Sequence, residues 1–160
     1  MNVIFLDVDG VLNCVSTDDT IQGFTGIDTQ KIKLLRQIVE ATDAVLVLSS
    51  TWKDGWEKSD KSKQDVYANY LDEKLRSKSL IIFDKTTDVR GYRGLGIIQW
   101  LQTHNVTNFI ILDDHNYDFA EHGLSQYHIK TEFYNNHGGL RDEHVSLAIK
   151  LLSPEREVST

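Results

Sequence analysis

Asp7 and Asp9, separated by Val8 and followed by Gly10, stand where the apolar run Val3-Ile4-Phe5-Leu6 stops. Two carboxylates this close repel each other unless something answers their charge, and at a phosphate-handling site a divalent cation is the commonest answer. The same four residues also read as a strand running into an acidic Asp-Gly turn, so the rest of the chain must decide. Ser50 ends a second apolar run and Asp113-Asp114 a later one, while basic residues stand at Lys85, Arg90 and Arg93. This set fits phosphoryl transfer to an aspartate: one carboxylate attacks phosphorus, a hydroxyl and a lysine or arginine hold phosphate oxygens, and a cation neutralises them. A second carboxylate two residues on can protonate the departing alcohol and later activate water. Hard carboxylate oxygens, with one cysteine in the chain and no required histidine, point to Mg2+.

These residues are useful only if the fold brings them together, and the patterning says how. Val3 to Leu6 reads as the first strand, and Asn13 to Thr25 as a polar connection able to fold over the acidic pair. Asp28 or Thr29 caps a helix carrying Ile32, Leu35, Ile38 and Val39 as far as about Glu40. Ala44 to Leu48 is a second strand, Val66 to Ser77 a helix, Leu80 to Phe83 a third strand and Leu95 to Thr103 a helix preceded by the loop that holds Arg93. Phe109 to Leu112 is a fourth strand, Tyr127 to Lys130 a short fifth, and Arg141 to Leu152 a closing helix. Strands alternating with helices predict an α/β, three-layer Rossmann-like fold: a mostly parallel sheet with right-handed crossovers and helices on both faces. In such a sheet the strand C-termini share one edge, where ligands bind, so the polar residues that end the strands converge there.

With Asp7-Val8-Asp9-Gly10-Val11, Ser50, Arg93 and Asp113-Asp114 in this order, the chain resembles the haloacid dehalogenase (HAD) superfamily, whose members are mostly magnesium-dependent phosphatases. Leu6 to Asn13, Leu48-Ser49-Ser50-Thr51-Trp52-Lys53, Arg93-Gly94 before Ile97 and Trp100-Leu101, Ile111 to Asp114, and Gly139-Leu140 look most like the small HAD domains related to RNA-repair proteins. The resemblance implies that Asp7 is the nucleophile and Asp9 the general acid and base. It implies that Ser50, with Ser49 as runner-up, offers the phosphate-binding hydroxyl, beside Gly10 and Thr51. Arg93 matches the base that steadies the phosphoaspartate, with Lys85 and Arg90 as competitors. Asp7, Asp9, Asp113 and Asp114 match the metal ligands, the Asp9 group through its carbonyl, and Asp118 is a further acid one step back. Keeping an acid at Asp9 favours phosphate esters over haloacids.

Between Asp9 and Ser50 the chain has room for a short flap, one helix and one strand, and between Ser50 and Arg93 for one helix and one strand, without enough residues for a separate cap domain. An open site of this kind suits large or exposed substrates: a phosphorylated macromolecular end, a phosphoprotein or a sugar phosphate. Trp52, Trp56 and Tyr92 fall near the expected mouth, where they either stack a base or simply pack. The formal net charge of −7 argues against general charge-driven binding of nucleic acid, although residues 53 to 93 hold ten of the seventeen Lys and Arg. Other readings are an end-processing polynucleotide phosphatase (3′ or 5′) and, from a different class, a phospho-acceptor switch module in which Asp7 is modified without turnover. Receiver-type switches do not need an acid at Asp9, which weighs against the latter.

At 160 residues, 40% hydrophobic and 26% charged, the chain suits one soluble domain over 1 to 152 with a flexible tail over 153 to 160. The lone Cys14 excludes an internal disulfide framework and suits a reducing compartment. Asp7 and Asp9 interrupt the first apolar stretch, so a cytoplasmic protein without a leader or membrane anchor is expected. The six histidines form no metal-ligand spacing, and Gly91, Gly94 and Gly96 make no dinucleotide fingerprint.

Overall fold

The computed structural model describes residues 1–88 and 91–154. Five parallel strands form the central sheet: β1 (Asn2–Leu6), β4 (Val45–Leu48), β5 (Ile82–Lys85), β6 (Asn108–Asp113) and β7 (His128–Lys130), in the order β5-β4-β1-β6-β7. Between β1 and the first helix, Thr20–Ile21 (β2) and Phe24–Thr25 (β3) make a small antiparallel hairpin. Its turn residues Gln22 and Gly23 both have positive φ, 51° and 79°, the combination that lets a two-residue turn follow the strand twist. The polar connection, where room for a short flap is expected, takes the form of this hairpin.

Alternation along the strands sorts their side chains. Ile4, Leu6, Leu46, Leu48, Ile110 and Leu112 pack under α1 (Thr29–Thr42), α2 (Val66–Arg76) and α4 (Asp142–Leu152). Val3, Phe5, Val47 and Ile111 face the other way, onto Ile97 and Trp100 of α3 (Arg93–Gln102) and onto Phe119 and Leu124. The sheet is thus the middle of three layers, and each fully buried Leu or Ile contributes about 1.5–3 kcal/mol. α1 begins where the Asp28 carboxylate accepts from the Gln30 N–H at 2.9 Å, and ends where Asp43 turns left-handed with its N–H on the Val39 carbonyl. On its inner face Ile32, Leu35 and Ile38 are buried, and Leu35→Ala would cost about 2–5 kcal/mol.

Two element boundaries move for visible reasons. The third large strand begins at Ile82 rather than Leu80, because Leu80 donates its N–H to the Leu75 carbonyl and closes the end of α2. α3 begins at Arg93, not Leu95: Tyr92 gives no side-chain cap, and the buried carboxylate of Asp118 accepts from the Gly94 and Leu95 N–H groups at 2.6 and 3.1 Å. Arg93 is therefore anchored on the first turn of a helix instead of lying in a loop. Of the expected tail, residues past 154 lie outside the described residues, as does Arg90. No helix among the described residues is long and apolar enough to cross a membrane.

Candidate active site

Strand register assembles the site. Leu6 pairs with Leu48 on one side and with Leu112 on the other, so the next residues, Ser49, Asp7 and Asp113, form a row across the C-terminal edge. The ladder continues through them, with Ser49 N–H on the Leu6 carbonyl and Asp7 N–H on the Leu112 carbonyl, both at 3.0 Å. By alternation the row shares the face of Phe5, Val47 and Ile111, which is the face covered by α3. The first turn of α3 delivers Arg93 there. Its Nη1 lies 3.1 Å from Asp7 Oδ1 and 2.6 Å from Asp113 Oδ2, with all three side chains buried. The Tyr117 ring covers the guanidinium at 4.2 Å, and Asp118 holds the turn that carries it.

Charge in this row is unbalanced. Burial, then the neighbouring Asp113, pushes the Asp7 carboxyl from 3.8 up to about 7, against the pull of Arg93. Burial likewise raises Asp113 despite Arg93, and raises Asp114 despite His115. Burial alone would lower Arg93, but Asp7 and Asp113 outweigh it and keep the guanidinium charged. Among the described residues a single permanent cation, Arg93, thus faces three carboxyls, all of them hard oxygen donors. Asp113, Asp114 and His115 also offer ligand atoms within 4.8 Å of one another. These hard oxygen donors fit a magnesium ion, which Asp113 and Asp114, with Asp7 beside them, would hold.

Asp9 points away from this row, exposed and held at both oxygens: Asn13 Nδ2 donates to Oδ1 at 2.9 Å and the Trp52 indole N–H to Oδ2 at 3.0 Å. Asn13 is fully buried and also ties the flap, donating to the Gly26 carbonyl at 2.8 Å. Gly10, with φ +83°, makes room for Asp114, whose carboxylate a Cβ there would strike. Its N–H is not open to phosphate, because it donates to Asn13 Oδ1 at 2.8 Å.

The two serines separate clearly. Ser50 Oγ accepts from the Trp52 N–H at 3.2 Å and caps the short 3-10 turn Thr51–Gly55. Ser49 Oγ, fully buried and level with Asp7, has no hydrogen-bond partner among the described residues. The free hydroxyl beside Asp7 is therefore that of Ser49, the runner-up of the sequence reading. Thr51 is exposed on the wall of an adjoining cavity. Lys85 stands apart from the row, with its ammonium on the Lys53 and Trp56 carbonyls at 2.9 and 2.6 Å. Of the aromatic residues expected at the mouth, Trp52 lines the cavity, while Trp56 is buried with its indole N–H on Asp72 and Tyr92 is exposed before α3.

Asn13, Tyr117 and the capping part of Asp118 escaped the sequence reading. The one available signal was position: each follows closely on a strand-ending acidic pair. Lys53 is buried against Thr86 and Asp88, and Lys58, Lys61, Lys63 and Lys74 pair with Asp84, Asp72, Asp60 and Asp19, so much of the basic stretch is neutralised locally.

A three-layer parallel fold with an aspartate-rich edge of this order defines a class, and comparison with known families agrees. Residues 3–145 match the family described as the HAD domain in Swiss Army Knife RNA repair proteins. The chain belongs to that family, a small HAD-superfamily domain, and the membership supports a HAD-type phosphatase in general terms. Searches of curated proteins and of solved structures return no match.

Proposed function

We propose that this domain is a magnesium-dependent phosphomonoester hydrolase that works through an aspartyl phosphate on Asp7. The observation that carries the reading is the row Ser49-Asp7-Asp113 closed by Arg93, which sets a carboxylate, a hydroxyl unpartnered among the described residues and a guanidinium side by side at one sheet edge. Magnesium, when bound by Asp113 and Asp114 beside Asp7, supplies the charge that neutralises phosphate oxygens during transfer. Asp7 attacks phosphorus, forming its own O–P bond as the ester P–O bond breaks. The protonated form of Asp9, aimed by Asn13 and Trp52, donates its proton to the departing alkoxide. The resulting Asp9 carboxylate then takes a proton from water, which attacks the phosphoaspartate and frees Asp7 with inorganic phosphate. Arg93 holds the nucleophile in register and offers its remaining N–H groups to phosphate oxygens. The Ser49 hydroxyl donates to another of those oxygens.

The family's description in RNA repair favours a phosphorylated polynucleotide end as the substrate to try first. The test is phosphate release from 3′- and 5′-phosphorylated oligonucleotides and from small phosphomonoesters with magnesium. Activity lost in Asp7→Asn supports the reading. Equal release by wild type and Asp7→Asn, or none from any ester, overturns it. A long-lived phosphoprotein without turnover would support the switch module instead.

A further inference from the structure

Between the flap and the 3-10 turn lies an open cavity of about 580 Å3, within the range of small-molecule sites. Asp9 and Asp114 are among its lining, and Asp114 is hydrogen-bonded with Asp7, so the cavity adjoins the acidic row. Its walls are aromatic. Trp52 and Tyr67 meet edge to face with centroids 5.9 Å apart, Phe24 of the hairpin meets Tyr67 at 6.3 Å, and Tyr134 closes the opposite side. Tyr134 is 89% exposed and Phe24 66%, so both present open ring faces beside the cavity. Among the described residues no lysine or arginine lines the cavity, whereas Asp54 and Asp65 do.

The chemistry of these walls is selective. Exposed ring faces attract a flat aromatic group, and every nucleobase offers a π-face worth a measurable stacking contribution. Carboxylates repel further phosphates and, when ionised, only accept hydrogen bonds, so they suit a ring that carries N–H donors. A bare phenyl ring supplies no such donors, and a polyanionic strand would meet only negative charge here.

We propose that this cavity is a nucleobase subsite, which takes the base of the one nucleotide whose phosphate is presented to Asp7, with Phe24 and Tyr134 as its outer stacking walls. The assignment rests on the phosphohydrolase reading for its orientation, but base binding can be observed without turnover. It also places specificity in the terminal nucleotide rather than in a long basic track.

The test compares kcat/KM of wild type, Phe24→Ala and Tyr134→Ala on adenosine 3′- and 5′-monophosphates, ribose 5-phosphate and phenyl phosphate, all with magnesium. Both side chains are exposed and neither belongs to the buried core, so truncating them leaves the core packing intact. The expected result is a loss of roughly 5- to 150-fold on the better nucleotide, mostly in KM, with ribose 5-phosphate unchanged. Adenosine alone should quench the fluorescence of Trp52 in the Asp7→Asn protein, and less so once Tyr134→Ala is added. Equal effects of the variants on nucleotide and sugar phosphate overturn the subsite. So does phenyl phosphate hydrolysed as well as the nucleotide and equally sensitive to the variants, which would mark an aryl phosphate pocket. Absence of quenching by millimolar adenosine overturns it too. Quenching without hydrolysis of any ester would leave the subsite standing and bring down the hydrolase reading alone.

Discussion

Replacing Asp7 by asparagine should stabilise the metal-free protein, and the gain should grow with pH. Folding moves the Asp7 carboxyl from 3.8 to about 7, chiefly by burial and by the charge of Asp113. A displacement of that size disfavours the ionised form by about 4 kcal/mol, some of it shared with Asp113. Because the folded state binds this proton more tightly than the unfolded one, the contribution is present below the unfolded value and is lost as pH rises through about 7. An asparagine side chain in the same place carries no charge and has no such loss. In chelator, urea unfolding at about pH 5 and at about pH 8 should show the variant's advantage widening by about 2–4 kcal/mol between the two. Acids remote from position 7 titrate alike in both proteins, so the difference reports Asp7 together with Asp113 and Asp114, which interact with it. Magnesium should narrow the gap by stabilising wild type, about 2.7 kcal/mol at a hundredfold excess over its dissociation constant. A difference that does not change with pH, or a variant less stable than wild type at the higher pH in chelator, would refute the charge imbalance of the acidic row.

Ser49→Ala should reduce kcat/KM by about a hundredfold with little loss of stability, because its buried hydroxyl has no partner to lose. Ser50→Ala should show the reverse, about 1 kcal/mol less stable through the lost cap and nearly active; thermal melts paired with phosphate release separate the two. Asp118→Ala leaves the first N–H groups of α3 without their acceptor, so it should cost about 1–2 kcal/mol and lower kcat by loosening Arg93, with Asp118→Asn recovering part of both. Gly10→Ala forces a Cβ against Asp114 at φ +83° and should weaken magnesium binding in calorimetry.

The order of elements was readable because each strand is a short apolar run and each helix an apolar stripe with a cap, patterns set by local backbone physics. The polar row at the sheet edge was also written there: the first polar residue after Leu6, Leu48 and Leu112 is Asp7, Ser49 and Asp113 in turn. The strand end at Leu48 was placed where the structure has it, and side-chain alternation from there puts Ser49, not Ser50, on the face of Val47 and Asp7. Arg93 was identified by type but not by location, since the helix start depends on Asp118, which is distant in sequence. Lys85 shows the opposite limit: its type suited phosphate, but carbonyls of the 3-10 segment and its end hold the ammonium. A short flap was expected before the first helix, but its hairpin form and the grip of Asn13 and Trp52 on Asp9 have no periodic signature.

The central claim is that Asp7 becomes covalently phosphorylated. Asp9→Asn, which in the proposed mechanism slows hydrolysis of the intermediate, should be incubated with magnesium and a radiolabelled phosphoester, acid-quenched and digested. Hydroxylamine-labile label is predicted on the peptide that contains Asp7, and none in the protein that also carries Asp7→Asn. Continued release of phosphate by Asp9→Asn with no label on that peptide would contradict the claim.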